Sequence, residues 1–114
     1  MLALFLALPL VAFAANNISG TWEAKFDFQG QGGTATFVFH QDGEKLTGTY
    51  SGAHGEADVT GTVVGRVIEF QCETPDVLIR YHGRLSDDGA KIEGTYDYSG
   101  QTIGTFVATR AGAK

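Results

Sequence analysis

The chain has 114 residues, with 13 acidic against 8 basic side chains and a net charge of −5. That length suits one domain, and the acidic balance excludes nucleic acid and anionic membrane surfaces, which both select clustered Lys and Arg. Cys72 is the single cysteine, so no intrachain disulfide can brace the fold, which must rest on buried apolar surface.

Residues 1–14, MLALFLALPLVAFA, are apolar throughout and end in Ala12-Phe13-Ala14, the small-x-small pattern that signal peptidase accepts. A membrane-crossing helix needs about 20 apolar residues, more than this run supplies. The segment is expected to be a signal peptide that lacks the usual basic start, so the true start codon and cleavage site stay open. A membrane anchor or a buried N-terminal strand is the competing view. Cleavage after Ala14 leaves 15–114 as one small β-barrel domain, secreted or periplasmic in a bacterium, that carries every charge of the chain. Asn17-Ile18-Ser19 matches a glycosylation sequon and is read as chance in such a chain.

From residue 20 onward the pattern has period two. In Trp22-Glu23-Ala24-Lys25-Phe26-Asp27-Phe28 the apolar residues share one face and three charges the other, which is a half-buried strand. The same alternation predicts strands at 20–28, 33–41, 44–51, 55–63, 66–73, 77–86, 90–98 and 102–110. Between them stand turn residues: Gln29-Gly30-Gln31-Gly32, Asp42-Gly43, Ala53-His54-Gly55, Thr74-Pro75-Asp76, Asp87-Asp88-Gly89 and Ser99-Gly100-Gln101. No connection is long enough for a parallel crossover, so each strand pairs with the next.

A short form recurs along the chain: apolar, any residue, Gly, Thr, apolar. It appears as Ile18–Trp22, Leu46–Tyr50, Val59–Val63 and Ile92–Tyr96, with a partial copy at Gly104-Thr105-Phe106. Asp42-Gly43-x-Lys45-Leu46 also returns as Asp88-Gly89-x-Lys91-Ile92. Echo of one half by the other and convergence on good strand and turn residues explain this equally. Each repeated glycine falls on the inward face, where a strand coiling round a narrow barrel needs space.

Carried through, the alternation points all 11 aromatic residues of 15–114 inward: Trp22, Phe26, Phe28, Phe37, Phe39, Tyr50, Phe70, Tyr81, Tyr96, Tyr98 and Phe106. Such segregation implies a single enclosed core. The outward face carries Glu23, Lys25, Asp27, Glu69, Glu73, Arg80, Arg84, Glu93 and Asp97, unlike the apolar band of an outer-membrane barrel. The expected fold is all-β: a single soluble, antiparallel, up-and-down meander barrel of about eight strands. Val38, Val67, Leu78, Ile103 and Val107 are also placed outward, where gathering into a patch would support weak self-association.

Gly20-Thr21-Trp22 on the first strand and Arg110 at the end of the last resemble a pairing found in calycins, the superfamily of lipocalins, fatty-acid-binding proteins and avidins. The resemblance implies a barrel closed at one end by a guanidinium over the indole, a contact of about 0.5–2 kcal/mol. Leu46-Thr47-Gly48-Thr49-Tyr50 further resembles an avidin strand whose tyrosine, here Tyr50, helps bind biotin. The rest of the avidin pattern departs. Ala24 stands for an asparagine, Gly104 for an aspartate, and Trp22 is the single tryptophan, so biotin is not the ligand the resemblance implies. The chain is also similar to small secreted bacterial lipocalin-like domains.

Residues suited to chemistry are few. His40 and His82 fall outward on strands that are not neighbours, His54 falls in a turn, and no spacing suits zinc or copper, so no metal or cofactor is expected. The Asp-Gly turns lack the alternating oxygen ligands of a calcium loop, and Cys72 alternates into the core with Ile68 and Phe70. With only tyrosines and Arg110 turned inward, no general acid or base presents itself, no catalytic residue is assigned, and an enzyme is disfavoured. The candidate ligand-binding residues are Tyr50, Tyr81, Tyr96, Phe37 and Phe70, with Trp22 and Arg110 closing the barrel. The expected function is a binding or interaction module with a largely filled core, or a shallow apolar and aromatic pocket opposite the Trp22 end. A lipocalin-like carrier of a small hydrophobic molecule is the alternative.

Overall fold

A computed structural model describes residues 17–111, so the apolar segment 1–14 lies outside the described residues. Eight strands follow in order: β1 Gly20–Phe28, β2 Gln31–Asp42, β3 Lys45–Gly52, β4 Gly55–Val64, β5 Val67–Glu73, β6 Leu78–Leu85, β7 Lys91–Tyr98 and β8 Gln101–Arg110. Each pairs antiparallel with the next, and β8 returns to β1, so the sheet closes into an up-and-down barrel. The period-two reading therefore gives the right elements and topology. Closure also satisfies both strand edges that an open meander would leave bare.

The largest difference in bounds is at β2, which begins at Gln31 rather than 33. The β1–β2 hairpin closes on only two residues, Gln29 and Gly30, with φ of 53° and 84°. Ser99 and Gly100 close β7–β8 in the same way, at 52° and 95°. Positive φ at both central positions is what a type I′ turn requires, and its twist matches that of the flanking strands. Each turn is pinned by the preceding aspartate: Asp27 Oδ1 accepts from Gly30 N at 2.9 Å, and Asp97 Oδ1 from Gly100 N at 3.1 Å.

Four of the five recurrent glycines mark places where neighbouring backbones press together; the first, Gly20, has nothing within 4 Å of its missing Cβ. A Cβ on Gly94 would overlap the carbonyl oxygen of His82, and one on Gly48 that of Val38; Gly61 and Gly104 stand likewise against Glu69 and Asp27. Gly83 instead leaves room for the side chains of Ile92 and Phe106. The barrel is narrow enough to coil only because no side chain projects at these points.

Inside, the core is layered. Ile18, Trp22, Leu46, Ile68, Leu85 and Ile92 are fully or almost fully buried near one end. Above them lies a ring cluster in which Phe70 stacks on Tyr81 (centroids 4.5 Å apart, planes at 11°) and Phe37 meets both edge-on at 5.2 and 5.3 Å. Phe106 meets Tyr81 edge-on at 5.5 Å. Such ring pairs add about 0.5–1.5 kcal/mol each beyond their burial.

Two placements correct the sequence reading. Phe28 is on the inward side of β1 but remains 41% exposed, because it is the last strand residue and stands on the barrel rim. Ile103, expected to face outward, is half-buried against the core. Between β7 and β8 the partners step from Tyr96↔Gly104 to Asp97↔Thr102, which leaves Ile103 as a bulged residue. A bulge breaks the alternation and re-aims its side chain, here into the barrel. Val38, Val67 and Val107 are exposed as expected, on β2, β5 and β8, while Leu78 is half-buried. The outer wall is charged: Glu23, Lys25, Asp27, Glu69, Glu73, Arg80, Arg84 and Glu93 are exposed and Asp97 is half-buried. Among the described residues no helix is long and apolar enough to cross a membrane.

Candidate functional site

The two ends of the barrel are built differently. At the end that holds the start of β1 and the finish of β8, Trp22 and Arg110 are direct cross-strand partners. The Arg110 Cζ lies 4.5 Å from the centre of the Trp22 ring system. The indole Nε1 donates to Ile18 O at 2.9 Å, while Arg110 donates from Nε to Gly89 O (3.1 Å) and from Nη2 to Asn17 O (3.0 Å). One guanidinium thus ties the segment before β1 and the β6–β7 turn to the end of the last strand. This end is shut.

At the opposite end, where the β1–β2, β3–β4, β5–β6 and β7–β8 turns meet, a cavity of about 500 Å³ opens. That volume lies within the range of roughly 300–1,000 Å³ typical of small-molecule sites. Of the five residues singled out for binding, Tyr50, Tyr81 and Tyr96 line it. Phe37 and Phe70 do not; they are buried one layer below and support Tyr81 from beneath. Phe26, Phe28, Ile79, Tyr98 and Ile103 complete the apolar wall. Gly52 makes room for the Tyr50 hydroxyl, which would lie 2.7 Å from any Cβ at that position.

The polar group that sequence reasoning passed over is His54. It sits in the two-residue β3–β4 turn, where period-two logic says nothing of side-chain direction, and it leans over the cavity. Its Nε2 is 2.9 Å from the Tyr98 hydroxyl, with the two rings at 90°. Its Nδ1 is 3.6 Å from Asp76 Oδ2, an electrostatic contact that favours a proton on that nitrogen. With the proton there, Nε2 would accept from the Tyr98 O–H. The backbone N–H of His54 donates to the Tyr50 hydroxyl at 3.4 Å. Asp76 is held in place by Thr74, whose hydroxyl accepts from Asp76 N and Val77 N and donates to Val77 O. A signal for part of this site is present in the chain: Asp-aromatic-x-Gly-Gln occurs at 27–31 and again at 97–101, setting Phe28 and Tyr98 beside matching turns on the rim.

Burial raises the pKa of all four tyrosines, with desolvation the largest cause for each. The effect is greatest for Tyr81, whose phenol also faces Cys72 and the other tyrosines. Desolvation pushes Cys72 up to about 11. These groups therefore remain neutral near pH 7: the hydroxyls can donate and accept hydrogen bonds, and Cys72 stays a thiol rather than a nucleophilic thiolate. The chemistry on offer is recognition by rings and hydroxyls.

No protein-family model and no curated protein sequence matches this chain.

Proposed function

We propose that this protein is a binding module that holds one small apolar or aromatic molecule in the open-end cavity, in the manner of a calycin-like carrier. The observation that carries this is the cavity of about 500 Å³ above a packed aromatic floor. The rings of Phe26, Tyr50, Tyr81 and Tyr96 supply contact area, and the His54–Tyr98 pair supplies oriented polar groups at the mouth. Apolar walls with a few placed polar groups are the usual composition of a ligand site. The Trp22–Arg110 closure and the up-and-down topology support the calycin comparison. The apolar segment 1–14 supports export from the cytoplasm.

Titration with Nile red, a neutral hydrophobic fluorophore, tests the proposal when followed by amide NMR. Saturable one-to-one binding at micromolar or better affinity is expected, with shifts at Gly32, Gly33, Ala53 and His54 and none at Gly43 or Gly65 on the shut end. Shifts confined to the outer wall, or no saturation, would remove the carrier role.

A further inference from the structure

The open end differs from the shut end in charge as well as shape. The turn segments at the open end (27–31, 51–56, 73–78 and 97–101) hold five carboxylates, Asp27, Glu56, Glu73, Asp76 and Asp97, and neither Lys nor Arg; the five surround the mouth from outside and none lines the cavity. The corresponding segments at the shut end (17–20, 41–46, 64–67, 85–91 and 109–111) hold four acidic and four basic residues. Among the described residues the Lys or Arg ion pair with a carboxylate is Arg66–Asp87, at the shut end. Lys25 and Arg80 share the outer wall with Asp27, Glu73 and Asp97, and Arg80 stands directly across from Asp97; against these two cations the five carboxylates leave the open end with an excess of three negative charges (5 − 2). The charge balance around the mouth is therefore negative, which favours the approach of a cation.

Beneath the mouth the wall is made of rings at unlike angles. Phe26 and Tyr96 are 5.1 Å apart with planes at 68°, and Tyr96 and Tyr98 are 5.9 Å apart at 56°. Tyr50, Tyr81 and Phe28 complete the set. Each ring face carries negative quadrupole density, which attracts a cation placed over it. An anionic ligand such as a fatty-acid carboxylate would enter a cavity with no Lys or Arg in its wall, at an end whose charge balance is negative. A neutral ligand would leave that balance unused.

Building on the carrier role proposed above, we propose that the ligand is an organic cation: an aryl or alkyl ammonium whose apolar body fills the cavity and whose charge lies against the aromatic wall at the acidic end of the barrel. The tyrosine hydroxyl oxygens accept from any N–H the ammonium carries, and the His54–Tyr98 pair borders the mouth. Neutral phenols suit this role, since they keep both their ring faces and their hydroxyl groups near pH 7.

The test uses three probes of similar size: phenyltrimethylammonium, its neutral isostere tert-butylbenzene, and benzoate. Amide shifts at Gly32, Gly33 and His54 should saturate with phenyltrimethylammonium, about tenfold more tightly than with tert-butylbenzene. This preference should shrink as salt is raised, because screening weakens the rim. Benzoate should not saturate. The double variant Glu56→Gln, Glu73→Gln, at exposed positions outside the cavity wall, should weaken the cation by about threefold and leave tert-butylbenzene unchanged. Tyr96→Phe should retain the cation and Tyr96→Leu should lose most of it; if Tyr96→Leu does not fold, the exposed carboxylate variants carry the test alone. Equal or tighter binding of tert-butylbenzene or benzoate would overturn the cation assignment and leave the carrier role standing. No saturable shift with any of the three would remove both.

Discussion

Arg110 lies over Trp22 as its cross-strand partner, 4.5 Å from the ring centre, and spends two further donors on the carbonyls of Gly89 and Asn17. The contact joins the first strand to the last, so it forms only when the barrel closes. Trp22→Ala is expected to cost about 3–5 kcal/mol, as large aromatic truncations in cores do. Arg110→Ala should cost about 1–3 kcal/mol through the lost cation–π contact and two hydrogen bonds. Urea unfolding of the single and double variants should give a coupling of at least about 0.5 kcal/mol; additive losses would mean the two residues stabilise the barrel separately.

Gly94→Ala is expected to destabilise strongly, by about 2 kcal/mol or more, because the new methyl would overlap the His82 carbonyl and the backbone has nowhere to move. Gly33→Ala is the control, since nothing lies within 4 Å of its missing Cβ. It should be neutral or slightly stabilising. Thermal midpoints of the two variants decide the matter, and similar values would show that the tight strand approach at Gly94 carries no special weight.

Tyr98→Phe removes the hydroxyl that pairs with His54 Nε2 while keeping the ring. A loss of about 0.5–1.5 kcal/mol is expected, the usual net value of one hydrogen bond. Nitrogen chemical shifts of the imidazole provide the sharper readout. Wild-type protein should show Nδ1 protonated, facing Asp76, and Nε2 as acceptor, with the Nε2 signal moving in the variant.

Alkaline pH should unfold the barrel earlier than its charge alone implies. Cys72 and Tyr81 both have folded pKa values above their ordinary ones, mainly through desolvation. When the folded value is the higher one, the unfolded chain releases its proton first. The stability contributed is then complete below the unfolded pKa and is lost as pH rises towards the folded one. For Cys72 the window runs from 9.0 to about 11; for Tyr81 the loss begins near pH 10. Thermal midpoints should be flat from pH 7 to about 8.5 and fall above 9, with Cys72→Ala removing the earlier part of the decline. A profile unchanged in that variant would show that the thiol does not ionise in this range.

Alternation over seven or more residues was enough to read every strand and the closed order, because side-chain direction within a strand is a local property with period two. It also turned Tyr50, Tyr81 and Tyr96 inward, in agreement with their burial; the pairing of Trp22 with Arg110 was implied by the calycin resemblance and not by the alternation, and the β1–β8 register has it. Three features were decided only by the assembled barrel. His54 lies in a turn, where the side chain points wherever the facing turn offers a partner, and Asp76 and Tyr98 come from elements distant in sequence. Ile103 faces inward because β7 and β8 slip by one residue at Tyr96 and Asp97, a pairing choice that neither strand encodes by itself. Phe37 and Phe70 sit below the cavity rather than on its wall, since depth along the barrel depends on the stagger between strands. Period two tells which face a residue takes; only register tells how deep it lies and what it meets there.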